Sequence, residues 1–223
     1  VIAMSSNYWD EAKSMLLDDK ALNDVLKFHQ NTTRITDINS VLGKDEIRST
    51  WIEEKRGRVI HADTFLKRYS FDELHESLWH ITNVLKHYID TDSLNFTLPV
   101  LGVFKDQFEL ETGFYTFDFE NRYLVKYQEI DDSVELLQPI RREFHLSLSF
   151  FLSIEEAVFI LGRQGYRDGL VQIGEWFGKV TSHLTLVHWL RTIFIPDQPW
   201  TYVLGLNLRK QFHIKTIFIG EKK

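Results

Sequence analysis

Gln164-Gly165-Tyr166-Arg167-Asp168-Gly169-Leu170-Val171-Gln172-Ile173-Gly174 opens the longest periodic segment of the chain. From Tyr166 onward, apolar residues recur every three or four positions, through Leu170, Ile173, Phe177, Val180, Leu184, Val187 and Leu190. This spacing predicts one helix from Tyr166 to about Phe194, stopped by Pro196 and Pro199. Gly174 and Gly178 lie one turn apart on it. Two missing side chains on one face predict the close approach of another backbone there.

On the N-terminal side, Tyr8 to Phe28 carries Trp9, Leu16, Leu17, Leu22, Val25, Leu26 and Phe28 at helical spacing, which predicts one or two helices. Gln30 to Asn39 is polar and reads as an arm or loop, because its Asn, Thr and Asp side chains compete for local backbone bonds. Residues 1–40 are therefore read as a helical region with an arm, and 41–223 as the main domain. Val41 to Thr64 shows little pattern. Ser70 and Glu73 have capping-box spacing ahead of Leu74, Leu78, Ile81 and Leu85, predicting a helix of about four to five turns. Val100 to Phe104 predicts a buried strand, Phe114–Asp118 with Tyr123–Tyr127 a hairpin, and Leu146–Phe151 a further strand. Ser153 and Glu156 repeat the capping-box spacing before another helix. Trp200–Leu206 reads as a short helix or turn, and Phe212–Ile219 as a closing strand. Helices, strands, helices and a final strand make an α+β layout.

With no cysteine, disulfides and thiolate metal sites are excluded. A net charge of −6 argues against a nucleic-acid-coating protein, and Lys55-Arg56-Gly57-Arg58, the densest basic cluster, reads as a solvated loop. Nothing from Val1 to Asp10 reads as a signal peptide and no apolar run has membrane-spanning length, so a cytoplasmic protein is expected. His75 and His80, like His183 and His188, stand five apart, which turns the second imidazole away from the first; no metal site is expected. Gly43-Lys44 lacks the rest of a phosphate loop, and there is no G-x-S-x-G nucleophile elbow. Asp131-Asp132 and Glu155-Glu156 read as solvated surface. The 17 Phe suit a heavy core or a flat partner surface.

Gly165, Tyr166, Arg167, Leu170 and Gly174 fit K-Y-x-x-R-G-Y-R-x-x-L-x-x-x-G, so the segment resembles the SagB-type azoline dehydrogenases. These are nitroreductase-like FMN proteins that oxidise thiazolines and oxazolines in ribosomal peptides. Other landmarks resemble that family in chain order: Phe28-His29-Gln30-Asn31-Thr32 its F-H-x-N-T arm, and Phe65, Tyr69–Leu74 and Leu78-Trp79 its first long helix. Glu111–Asp118 with Leu124 resembles its hairpin, Leu204-Gly205-Leu206 its L-L-G-L, and Thr216–Gly220 its closing strand. The resemblance implies an α+β nitroreductase-like fold, a central mixed or antiparallel sheet flanked by helices, dimerising through a shared flavin site.

The departures from the family are systematic. Ile160 and Leu161 replace its catalytic Lys-Tyr pair, so no catalytic residue is expected. Ile60, His61, Ala62 and Asp63 replace the R-S-x-R phosphate clamp, and Asp63 would repel a phosphate. Asp92–Pro99 replaces P-S-G-G-A-L-Y-P, with Leu94 and Phe96 where small residues let the backbone approach flavin; Ser93 and Pro99 survive. Gly178 and Lys179 replace a Gln-Asn pair. Ser93, Lys179 and Arg167 are the expected flavin contacts, and Phe28, His29, Gly174 and Gly178 the expected interface residues.

The resemblance thus implies a degenerate subunit of a thiazole- and oxazole-forming complex, partnered with an intact FMN dehydrogenase and not binding FMN alone. A second reading is an active dehydrogenase with Lys179, Arg163 or Arg56 and Arg58 at the phosphate and Tyr115 as acid. A third is a scaffold that binds leader peptides.

Overall fold

The computed structural model describes residues 66–91, 96–105, 109–185, 189–193, 195–207 and 209–220, together with residues 20, 23, 24 and 26–28. The chain divides into Val1–Thr36 and Asp37–Lys223. In the first unit the described residues, Lys20, Asn23, Asp24 and Leu26–Phe28, are helical.

In the second unit, alternating and continuous apolar runs form strands and three-to-four periodicity forms helices. The strands are β1 (Lys67–Ser70), β2 (Thr97–Val103), β3 (Gly113–Asp118), β4 (Tyr123–Gln128), β5 (Leu146–Ser153), β6 (Trp189–Arg191) and β7 (Gln211–Gly220). The helices are α1 (Glu76–Thr91), α2 (Leu137–Glu143), α3 (Ile154–Leu161), α4 (Gly165–Leu184) and α5 (Asp197–Val203). Among the described residues the strands make one sheet of seven in the order β1-β4-β3-β2-β5-β7-β6. Every neighbouring pair is antiparallel, which settles the mixed-or-antiparallel alternative. The β3–β4 hairpin closes on the Asp118 carboxylate, which accepts from the Asn121 backbone N–H at 3.0 Å and from its side-chain amide.

Both faces of the sheet are covered. One carries Leu101, Val103, Tyr115, Phe117, Leu148, Phe150 and Leu152 against Leu78, Ile81 and Leu85 of α1, Ala157 of α3, and Ile173, Trp176, Val180 and Leu184 of α4. The other carries Leu98, Val100, Phe114, Phe151 and Phe218 against Leu137 and Ile140 of α2 and Trp200 of α5. Residues from β5 supply both cores, so its Leu-Ser-Leu-Ser alternation separates two buried faces rather than a buried face from a wet one.

Four local expectations are corrected. The periodic segment ends as a helix at Leu184, not near Phe194, and Trp189–Arg191 forms an edge strand paired with Phe218–Gly220. The Thr181 and Ser182 hydroxyls donate to the carbonyls of Phe177 and Gly178, four residues back, at 2.6 and 2.8 Å. Such back-bonding loosens a helix end. The Trp189 ring then stacks on Phe144, the residue that follows α2, with centroids 5.3 Å apart.

Ser70 caps a short turn at Phe71–Glu73 through the Asp72 N–H instead of forming a box with Glu73, and α1 starts later, at Glu76. Ser153 gives α3 no side-chain cap; it is the last residue of β5, where its backbone N–H donates to the Phe96 carbonyl.

Finally, Gly174 and Gly178 face open space: a Cβ at either would meet no atom within 4 Å. On this helix the close approaches lie nearer its start, at Gly165 and Gly169. A Cβ at Gly165 would run into the Ala157 carbonyl, and one at Gly169 into the Leu152 side chain.

Candidate functional site

The α3–α4 corner holds the positions expected to be catalytic or to touch cofactor. α3 ends at Gly162, whose φ of +63° suits a residue without Cβ. Leu161, the last residue of α3, is partly buried against the main core. An apolar side chain there can neither donate nor hold a proton. Ile160 precedes it on α3, with its side chain outside the described set.

Tyr166 packs edge to face on Phe212 of β7, with ring centroids 6.2 Å apart, while Arg167 is exposed on the same turn. Lys179 is exposed two turns beyond Gln172, beside the open positions Gly174 and Gly178. Gln172 reaches across to β2, where its side-chain oxygen accepts from the Phe96 backbone N–H at 3.1 Å. The Phe96 ring is 3% exposed and belongs to the main core. Ser93, His29, Leu94, Asp63, Arg56 and Arg58 lie outside the described residues, as does the Arg163 side chain. Phe28 lies in the first unit, on its helical stretch.

Tyr115 is fully buried on β3, and its hydroxyl donates to the Glu111 carbonyl at 2.6 Å. Burial, followed by the neighbouring Tyr69, pushes that hydroxyl well above the ordinary phenol range, so it holds its proton. As placed, it is a structural donor rather than an acid within reach of a substrate.

A second group of polar side chains converges on the opposite face of the sheet, where α5 crosses β7. A β-bulge creates it. Phe151 pairs with His213 but Phe150 pairs with Lys215, leaving Ile214 as an extra residue in β7. Residues three apart on a regular strand face opposite sides; with one extra residue between them they face the same side. His213 and Thr216 therefore meet, Nε2 to Oγ1 at 2.8 Å. Ile214 and Lys215 turn the other way, and the Lys215 amine sits over the Phe177 ring of α4 at 5.7 Å.

The contacts continue from both ends of that pair. His213 Nδ1 lies 3.1 Å from an Asp197 carboxylate oxygen at the start of α5. Thr216 Oγ1 lies 2.8 Å from Ser149 Oγ, and the Trp200 indole N–H donates to Ser149 Oγ at 3.0 Å. Burial lowers the His213 pKa below its ordinary value; Asp197 works against that, but its side chain is 72% exposed and its charge is screened by water. The imidazole therefore stays neutral at neutral pH.

Beside this chain of groups lies a cleft of about 400 Å3, lined by Tyr166, Asp197, Thr201, Gln211, Phe212 and His213 among others. Apart from Tyr166, these residues do not stand out in the sequence. Their one trace in the sequence is Ser149, a polar residue in a strand that is buried on both sides.

Among the described residues, no group of three His, Cys, Asp or Glu side chains could hold a metal ion, and no helix is long and apolar enough to cross a membrane.

No family model matches the sequence, and no curated protein matches it. Eight chains among solved structures do. One is a candidate nitroreductase from Anabaena variabilis, with TM-score 0.61 at 12% identity over 87% of this chain and 45% of that one. A second is in the E. coli microcin synthetase McbBCD complex with truncated pro-MccB17 bound, with TM-score 0.48 at 15% identity over 59% of this chain and 53% of that one. A third is a candidate nitroreductase from Ralstonia eutropha, with TM-score 0.48 at 12% identity over 78% of this chain and 82% of that one. This chain spans less than half the length of the Anabaena protein, so the likeness concerns a fold and not a whole protein. That likeness, together with the antiparallel seven-stranded sheet and its flanking helices, gives the chain a nitroreductase-like fold.

Proposed function

We propose that the chain is a degenerate SagB-like subunit of a thiazole- and oxazole-forming peptide modification complex, depending for chemistry on an intact FMN dehydrogenase. The reading rests on the sequence landmarks quoted above, and one structural observation carries it. The positions that the resemblance assigns to flavin approach and catalysis are filled by apolar side chains turned into the main core, Phe96 and Leu161. Where the family has an alanine, a phenylalanine ring is buried; where it has a tyrosine, a leucine packs.

The residues present do not fit an FMN held by this chain alone. In this reading flavin belongs to a site built largely by the partner. Arg167 and Lys179, both exposed on α4, and Ser93 are the contacts this chain adds. Phe28, His29 and the open glycine face of α4 are the proposed interface, the assembly is a cytoplasmic heterodimer, and 41–223 is the domain that takes part.

Absorbance tests the reading. Purified alone, the protein is expected to be colourless; co-expressed with an intact SagB-type dehydrogenase, it is expected to co-purify in a yellow complex of heterodimeric mass. Stoichiometric flavin retained by this chain alone would overturn the reading. So would azole formation that is unchanged when this subunit is omitted.

A further inference from the structure

We propose that His213 is a proton-operated latch that holds the Trp200 side of α5 on the sheet and releases it in acid. The hydrogen-bond chain running from Trp200 through Ser149, Thr216 and His213 to Asp197 has one direction, fixed at both ends. At one end, an indole N–H can only donate, so Ser149 accepts from Trp200 and keeps its own proton to give. At the other end, a carboxylate can only accept, so the neutral imidazole must carry its proton on Nδ1. His213 Nε2 is then an acceptor, Thr216 donates to it, and Ser149 donates to Thr216. Every group in the chain is satisfied by that one arrangement.

A second proton on His213 breaks the arrangement. Nε2 becomes a donor aimed at the Thr216 oxygen, so the Thr216 proton must turn toward Ser149. Ser149 already accepts from Trp200, and its own proton then has no acceptor in the chain. Ser149 is 0% exposed and Thr216 3%, so water cannot make up the loss without the helix moving.

The groups facing His213 are few. Asp197 faces it from α5, Lys215 of its own strand favours its protonation through a backbone hydrogen bond and opposes it through its charge, the Phe151 ring of β5 lies 5.3 Å away, and Tyr166 of α4 lines the same cleft. Asp197 is the one carboxylate among them, and it favours the protonated form; burial opposes it and prevails. The neutral imidazole is the form preferred by the fold, so the latch is closed above the ordinary histidine pKa of 6.5 and opens as pH falls from there through the lowered value.

Among the described residues, bonds from His213 to Asp197, from Trp200 to Ser149 and, at 3.0 Å, from the Tyr127 hydroxyl to the Leu204 carbonyl join α5 and its C-terminal cap to this face. A second proton on His213 makes its bond to Asp197 charge-assisted, so acid frees α5 at Trp200 while the Asp197 end stays held.

The experiment is hydrogen exchange of the Trp200 indole N–H by NMR on the full chain from pH 7.5 to 5, with its resonance identified in Trp200→Phe and the ring titration of His213 in His213→Asn. Intrinsic exchange changes smoothly with pH, so protection is read against a free indole. Protection is expected to fall about ten-fold for each unit by which the His213 titration is displaced, the fall beginning near 6.5 and levelling off at that titration. Thr216→Val cuts the chain between His213 and Ser149; in it His213 still titrates but Trp200 protection no longer follows. Constant Trp200 protection from pH 7.5 down to the His213 titration in the wild-type protein overturns the proposal, as does a His213 titration at or above 6.5. These wild-type measurements decide it even if a variant fails to fold.

Discussion

The two faces of the sheet are built from opposite materials. Against α1, α3 and α4 the sheet presents Leu, Val, Phe and Tyr rings and chains, with the Trp176 ring fully buried among them. Against α2 and α5 it presents aromatic rings interrupted by Ser149, Thr216 and His213, which are buried and bonded to one another. The first face is held by area removed from water, which is non-directional and tolerates small shifts. The second is held in part by hydrogen bonds that work in one arrangement and fail together, because an unpaired buried polar group costs more than its bond contributes. One face therefore supplies most of the stability, and the other supplies the place where a single proton changes the structure.

The dry face should give the largest mutational loss. Phe150 is fully buried and packs edge to face on Phe177 with centroids 6.2 Å apart. Phe150→Ala is expected to lower unfolding free energy by about 3–5 kcal/mol, read from urea denaturation, because the side chain's transfer energy is lost and a cavity remains. The polar face should respond less in magnitude but with a different pattern. Ser149→Ala removes few atoms yet leaves the Trp200 N–H without its acceptor, an expected loss of about 1–3 kcal/mol. The pH dependence separates the two. The cost of Phe150→Ala should be the same at pH 7.5 and 5.5, whereas that of Ser149→Ala should shrink at the lower pH, where the chain is already broken. Equal pH behaviour would erase the distinction between the faces.

The dry face was also the more legible in the sequence. The period of Leu78, Ile81 and Leu85, the hairpin of Phe114–Asp118 and Tyr123–Tyr127, and the run from Leu170 to Leu184 all appear where periodicity puts them. Hydrophobic period reports area burial, and area burial built that face. The polar face depends on features with no periodic signature. A bulge at Ile214 changes which side His213 occupies, and nothing in Gln211–Gly220 marks it.

The end of α4 was illegible for a related reason. Val187 and Leu190 keep helical spacing, but a partner strand distant in sequence claims Trp189–Arg191. Both capping boxes failed because the serines were used by the sheet and a tight turn before a helix could recruit them. Of the proposed site, the apolar replacements at Leu161 and Phe96 were legible as residue types, whereas their packing into the main core needed the coordinates.

The glycines of α4 give the smallest expected effect and the sharpest reading of its outer face. Gly165 and Gly169 sit under Ala157 and Leu152, whereas Gly174 and Gly178 are exposed with no atom within reach of an added Cβ. In the isolated chain, Gly178→Ala removes backbone entropy from the unfolded state and collides with nothing. It is therefore expected to raise the unfolding free energy by up to about 1 kcal/mol. A partner helix seated on that face reverses the sign in the complex, because the added methyl then stands where a backbone approaches. Thermal melting of the isolated variant measures the first effect, and its affinity for an intact dehydrogenase measures the second. Stabilisation alone with unchanged affinity would leave the glycine face as plain solvent-facing helix and remove it from the proposed interface.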